Sequence, residues 1–227
     1  MVASSPQISS NTCPHCKQSS VSTLACLQCG QMLEESDGCN HFVRLGQSPN
    51  DAFDADSAEG VYLALSRLTH PDFHGGDDAA GQALAVAHSA LLNEAWRVLN
   101  DDQLRAEYSL ELHDPGALER HNQLSPAFLM EAMELSEELE SARETGCVKT
   151  IERIRRDAYQ AIQDRMIGVT AACTDTIARI AREAHHPGAE SGTLPTAMLN
   201  AHHWNTEQIA TLLNQARVYR RILRDTD

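Results

Sequence analysis

Four cysteines fall in two CxxC pairs, Cys13/Cys16 and Cys26/Cys29, with nine residues between the pairs. Each CxxC presents two thiolates from one tight turn, and two such turns supply the four ligands that tetrahedral zinc prefers. A segment this short buries little apolar surface, so a bound metal would be its main source of folding energy. Four cysteine ligands leave no open coordination position, which makes the expected zinc structural rather than catalytic. An iron centre, a redox dithiol or unliganded thiols are the other readings of the same spacing. Gly30, directly after Cys29, supplies the permissive backbone such a turn uses. Cys39 lies too far out to be favoured as a ligand, and Cys147 and Cys173 read as helix-interior residues. Seven cysteines are also an odd number for a disulfide framework.

A second constellation is RLTHPDFHGG, from Arg67 to Gly76. An apolar run at helical spacing, Val61, Leu65 and Leu68, ends where Pro71 disfavours helix at His70. Asp56-Ser-Ala-Glu59 can cap the start of that helix. Gly75 and Gly76 extend the loop, and a second helix carries Leu84, His88, Leu91, Ala95 and Val98 on one face. Asn100-Asp101 breaks it, and Leu104 to Leu112 forms a short third helix. The local picture is two antiparallel helices with His70, Pro71 and Asp72 at the tip.

A third pattern lies in PAFLMEAMELSEELE, introduced by Ser125 as cap and Pro126 at the first helical position. At about 100° per residue, Phe128, Ala132, Leu135, Leu139 and Ala142 form the core stripe. Met130, Met133 and Glu137 lie opposite, Glu134 sits beside them, and Leu129 is on the border. Apolar side chains on a polar face do not help a helix pack inward; ringed by carboxylates, they suggest a docking surface for another protein. A long helical run from Val148 to Ile180 follows. The HHPGAESGTLPTAMLNAHHWN stretch breaks it, and a last helix uses Ile209, Leu212, Leu213, Ala216, Tyr219 and Leu223. The His185-His186 and His202-His203 pairs read as solvated loop residues.

The elements needed to hold these residues are nearly all helical. The expected fold is mainly α, with a small N-terminal zinc knuckle (1–39), a helical hairpin (40–114) and a C-terminal three-helix bundle (115–227). An aromatic content of 4% suits an aliphatic helical core. Net charge is −14, of which −9 falls in residues 41–115, and no segment is a basic patch. That argues against phosphate-driven nucleic-acid binding, the zinc-ribbon alternative. No apolar run approaches the ~20 residues needed to span a bilayer. Neither a signal nor a transit peptide is visible at the N-terminus, so a cytoplasmic protein is expected. No nucleophile–base pair or open metal site is readable, so the chain is not expected to be an enzyme.

HPD between two helices, followed by AWRVLNDDQLRAEY (Ala95 to Tyr108), resembles a J-domain. A J-domain joined to a small helical bundle in turn resembles the HscB family of iron–sulfur assembly co-chaperones. AFLMEAMELSEELE is similar to the segment with which that family binds the scaffold IscU. Some members also carry an N-terminal tetracysteine knuckle. The resemblance implies that His70, Pro71 and Asp72 engage a DnaK/HscA-class ATPase chaperone and stimulate its ATP hydrolysis. Pro71 would stiffen the turn, and Asp72 would pair with a cation on the ATPase. It also implies that Leu129, Met130, Met133, Glu134 and Glu137 bind the scaffold.

Three departures stand out. The helix before HPD keeps one base, Arg67, so electrostatic steering toward an acidic chaperone should be weak. The family's further acidic contact falls on Ser141, with Glu140 on the neighbouring arc. The scaffold site's closing-helix aromatic falls at Tyr219 or shifts to Val218. The alternative reading is a J-domain co-chaperone with unrelated clients, held by the knuckle and bundle.

Overall fold

The computed structural model describes residues 11–35, 39–48, 53–184 and 205–226, with the side chains of all but 11 and 173–184. Both His-His pairs and the side chain of Cys173 lie outside that set. The chain divides into two compact units, one ending at Arg105 and the other beginning at Ala106.

In the first unit a two-stranded antiparallel ribbon pairs β1 (Asn11–Thr12) with β2 (Ser19–Ser20). A single turn of helix, α1 (His41–Arg44), is capped by the Asn40 side chain, which accepts from the Val43 amide. The hairpin helices are α2 (Ala55–Thr69) and α3 (Ala79–Leu99). Asp54, not Asp56, caps α2, accepting from the Ser57 amide. Both acids fit the capping pattern, and the chain's extended backbone at 54 decides between them. Asp78 caps α3 in the same way. Leu65, Ala85, His88, Leu92, Ala95, Val98 and Leu99 are buried, while Leu84 and Leu91 are only half-buried. Tyr62 ties the two helices together: its ring stacks on Trp96 at 4.9 Å, and its hydroxyl donates to Asn93 Oδ1 at 3.1 Å.

α4 (Asp102–His113) follows the break at Asn100-Asp101. The second unit then holds α5 (Ala117–Arg120), α6 (Pro126–Glu144), α7 (Val148–Ala184) and α8 (Thr206–Arg224). The short α5 has little signal in the sequence beyond two apolar residues, Ala117 and Leu118, both buried. Asn214 of α8, itself buried, donates to the carbonyls of Leu118 and His121 at 2.9 and 3.1 Å. It thereby satisfies groups that the end of α5 would leave orphaned. α6 starts as expected, with Ser125 Oγ accepting from the Phe128 amide and Pro126 in the first turn. It ends in a left-handed Gly146 (φ 65°), where the Cys147 amide reaches back to the Ala142 carbonyl. Cys147 is therefore an exposed residue between helices rather than a helix-interior one, and Val148 beside it is exposed as well.

Two apolar clusters hold this unit. Phe128, Ala132 and Leu139 of α6 meet Ile154, Ala158 and Ile162 of α7 and Tyr219 and Ile222 of α8. Leu110, Ala117, Leu118, Val169, Ala172, Ile209, Ala210 and Leu213 form the other. Ile154 is fully buried between helices. Ile154→Ala is expected to lower the unfolding free energy of this unit by about 3 kcal/mol, read as a shift of the urea midpoint at unchanged slope.

Candidate functional sites: a tetracysteine knuckle, the HPD turn and an exposed helix face

The two CxxC turns are built alike. The Cys13 amide donates to the Gln18 carbonyl (2.8 Å) and the Lys17 amide to the Cys13 carbonyl (2.9 Å). Cys26 pairs with Gln31 (2.9 Å) and Gly30 with Cys26 (2.8 Å) in the same way. Both turns need a left-handed residue after the second cysteine: Gly30 at φ 75° and Lys17 at φ 63°. The glycine is readable in the sequence; Lys17 is not, because nothing in a lysine announces that conformation.

The four sulfurs lie within 4.8 Å of one another. Cys13 Sγ and Cys29 Sγ are 3.6 Å apart, and Cys16 Sγ and Cys26 Sγ 3.7 Å. A tetrahedron with metal–sulfur bonds of ~2.3 Å has edges of about 3.8 Å, whereas a disulfide needs ~2.05 Å. The spacing fits a four-thiolate metal site and no disulfide. Crowding sets the thiols against one another. Amides of Cys16 and His15 help bring the Cys13 thiol down to about 6. At Cys29 the Gln31 amide pulls downward, but desolvation and the neighbouring thiols Cys13, Cys16 and Cys26 push it up to about 12. A central divalent cation is what allows all four to ionise together. Cys39 lies outside the cluster, as the spacing suggested.

The knuckle is docked on the hairpin rather than hanging from it. Ser22 Oγ donates to the Arg44 carbonyl at 2.7 Å. The Arg44 guanidinium grips Glu35 with two bonds, 2.7 and 2.9 Å long, both partners largely buried. The ring of buried His88 donates to the Leu24 carbonyl, and burial holds its pKa below the ordinary histidine value. Gly46 (φ 67°) allows the close approach: a Cβ there would lie 2.3 Å from Val21 Cγ1. None of this is legible from composition, since the partners are separated by 9 to 64 positions.

At the hairpin tip, His70 leaves the helix in an extended conformation and Pro71–His74 forms a 3-10 turn. His70 Nδ1 accepts from the Asp72 amide at 3.2 Å. The Asp72 carboxylate points outward with 86% of its side chain exposed, 3.7 Å from His70 Nδ1. The three residues singled out in the sequence are thus brought together at one solvent-facing tip. Phe73 joins them, 73% exposed and edge-on to the His70 ring at 6.1 Å. Sequence reading missed it because a lone aromatic in a loop has no periodicity to place it. Arg67 is exposed on α2.

On α6 the core stripe is buried apart from half-buried Leu135. Met130 and Met133 are each 62% exposed and Leu129 is 44% exposed. Glu134 and Glu137 are exposed beside them, as are Glu140 and Ser141. Tyr219 does not join this face. It is buried edge-on to Phe128 at 5.5 Å, and its hydroxyl donates to Glu131 Oε1 at 2.7 Å. Burial first, then the Glu131 bond, pushes its pKa up to about 12. Glu131, Glu134, Glu138 and Asp157 line a cavity of about 300 Å³ above it. Among the described residues, no helix is long and apolar enough to cross a membrane.

A cysteine knuckle docked on an HPD-tipped helical hairpin, followed along the chain by a bundle of helices, defines a mainly helical fold with a metal-binding N-terminal segment. Comparison narrows it. Residues 124–186 match the family model of the HSCB C-terminal oligomerisation domain. The crystal structure of human co-chaperone protein HscB is similar at a TM-score of 0.59 and 18% identity, over 89% of this chain and 91% of that one. Chaperone HscB from Vibrio cholerae is similar at 0.57 and 20%, over 83% and 95%. At these identities the structural likeness establishes the shared fold. The family match adds a resemblance confined to residues 124–186.

Proposed function

We propose that the protein is a co-chaperone of iron–sulfur cluster assembly. In this reading it docks a DnaK/HscA-class ATPase through His70, Pro71 and Asp72 and stimulates ATP hydrolysis. It delivers an IscU-type scaffold held on Leu129, Met130, Met133, Glu134 and Glu137. The observation that carries the reading is the coexistence, on one chain with an HscB-like fold, of an outward Asp72 and an exposed Leu129–Met130–Met133 patch flanked by carboxylates. The protein performs no bond-making itself. Its residues hold one carboxylate for a cation of the ATPase and an apolar patch for the scaffold, so that both act on one complex. Segments 1–39, 40–114 and 115–227 serve, in that order, as metal knuckle, J-domain and scaffold-binding bundle. The metal held by Cys13, Cys16, Cys26 and Cys29 is zinc in this proposal, supplying folding energy alone. The compartment is the cytoplasm, and neither nucleic acid nor membrane is a partner.

The test is reconstitution with an HscA-class ATPase and IscU. Turnover should rise when the protein is added and rise further with IscU. Met130→Glu/Met133→Glu should weaken scaffold binding by about 2–4 kcal/mol, ~30- to 1,000-fold, measured by calorimetry. Because both side chains point to solvent, the variant should keep the wild-type helical content and urea midpoint. Unchanged scaffold affinity in a folded variant would favour the reading with unrelated clients.

A further inference from the structure

His74 is a loop histidine that the HPD reading leaves unused, and its geometry is unusual. Its Nε2 lies 2.7 Å from the Leu68 carbonyl and its Nδ1 2.7 Å from Asp77 Oδ2. A carbonyl and a carboxylate both only accept. A neutral imidazole carries one N–H, so both bonds together require the imidazolium. The Leu68 carbonyl belongs to the last turn of α2, among the acceptors that helix termination leaves unmatched and where a cation is favoured. Asp77 immediately precedes Asp78, the cap of α3. The ring therefore closes the loop across its width, with His70, Pro71 and Asp72 inside the closed segment.

We propose that His74 is a positioning residue for the HPD turn: a charged staple, donating from both ring nitrogens, that fixes the end of α2 to the start of α3 and so sets where Asp72 is held. The charged group facing the ring is the Asp77 carboxylate. α2 brings the Leu68 carbonyl, and α3 reaches the loop through Gln82, a neutral amide donating to the Asp77 carbonyl at 2.8 Å. The bond to Leu68, then that to Asp77, raise the His74 pKa above its ordinary value. A histidine with a raised folded-state pKa contributes its full share of order below the unfolded value, near 6.5. That share is lost as pH climbs through the folded value. Above it one of the two bonds must break, and the turn loosens.

The functional consequence rests on the chaperone-docking reading of the HPD turn, so the test has one arm that does not involve a chaperone. In the intact protein, imidazole NMR should show both ring N–H protons bonded at pH 6 and a His74 titration above 6.5. Amide exchange at Phe73 and Asp77, whose N–H groups close the turn onto His70 and His74 carbonyls at 3.0 Å, should quicken ~tenfold in His74→Ala. α3 exchange should stay unchanged. Asp77→Asn should lower the His74 titration while the turn still forms. In the second arm, the ratio of wild-type to His74→Gln stimulation of an HscA-class ATPase should fall toward one as pH rises from 6 to 8. Glutamine keeps one donor but no titratable charge, so the ratio isolates the staple from the ATPase's own pH dependence. A His74 titration at or below 6.5, or turn amides indifferent to His74→Ala, would overturn the proposal. A flat activity ratio despite a responsive turn would overturn its functional half. Absence of stimulation by wild type would sink the chaperone reading and leave the exchange arm to decide the staple.

Discussion

Asp72→Asn should reduce stimulation of an HscA-class ATPase to the basal rate, with half-maximal concentrations rising at least ~10- to 100-fold. The substitution keeps side-chain shape and removes charge. Asp72 exposes 86% of its side chain, and its carboxylate is 3.7 Å from His70 Nδ1, too far for a hydrogen bond. Little internal structure therefore depends on it, and the variant should unfold at the wild-type midpoint. What it removes is the acceptor for a cationic partner, and charge-assisted bonds across an interface contribute about 1.5–3 kcal/mol. The acidic surroundings sharpen the expectation. Residues 41–115 carry −9 and α2 keeps one exposed base, Arg67. Under the proposed function, long-range attraction to an acidic ATPase surface would be weak, leaving short-range contacts at the tip to carry more of the encounter. A ~threefold change or less in a single-turnover ATPase assay would show that docking does not run through this carboxylate.

Cys26→Ser should abolish stoichiometric metal binding and dissolve the order of the segment around it. Cys26 is fully buried and belongs to a small cluster with Cys13 and Leu33, two of whose three buried residues are cysteines. Apolar burial cannot hold such a segment, whereas four-thiolate zinc contributes on the order of 10 kcal/mol in isolated finger peptides. Serine is a far poorer ligand, and three thiolates with an incomplete shell lose most of that. Metal content per chain should fall from one to near zero. Amides such as Gly30 and Leu33, which bond to the Cys26 and Leu24 carbonyls, should exchange at nearly unprotected rates. Because Leu24, Ser22 and Glu35 are the knuckle's grips on His88 and Arg44, α1 and α3 should lose protection too. Core amides of α7 and α8 should not. Retained metal, or a protected 24–33 segment, would contradict the site.

Much of this protein is legible in order along the chain. CxxC spacing, a proline that ends a helix, a Ser-Pro start and an apolar stripe at 100° intervals are local signals, because each arises from backbone geometry over a few residues. They were enough to place the tetracysteine, the HPD tip and the Met130–Met133 face. Local ambiguity defeated the same reasoning at Asp54 against Asp56, at Cys147 and at α5. There, two residues satisfied one rule, or too few residues carried any.

The sequence alone determined which side chains could bind a metal, cap a turn or stand on the wrong face of a helix, since spacing within a single turn is fixed by covalent geometry. Only the tertiary structure decided that the knuckle clasps the hairpin through Glu35–Arg44 and Leu24–His88. It also decided that Tyr219 turns inward onto Glu131, and that His74 reaches two acceptors at once. Those partners meet because packing folds distant positions together, and neither periodicity nor motif encodes a distance through space.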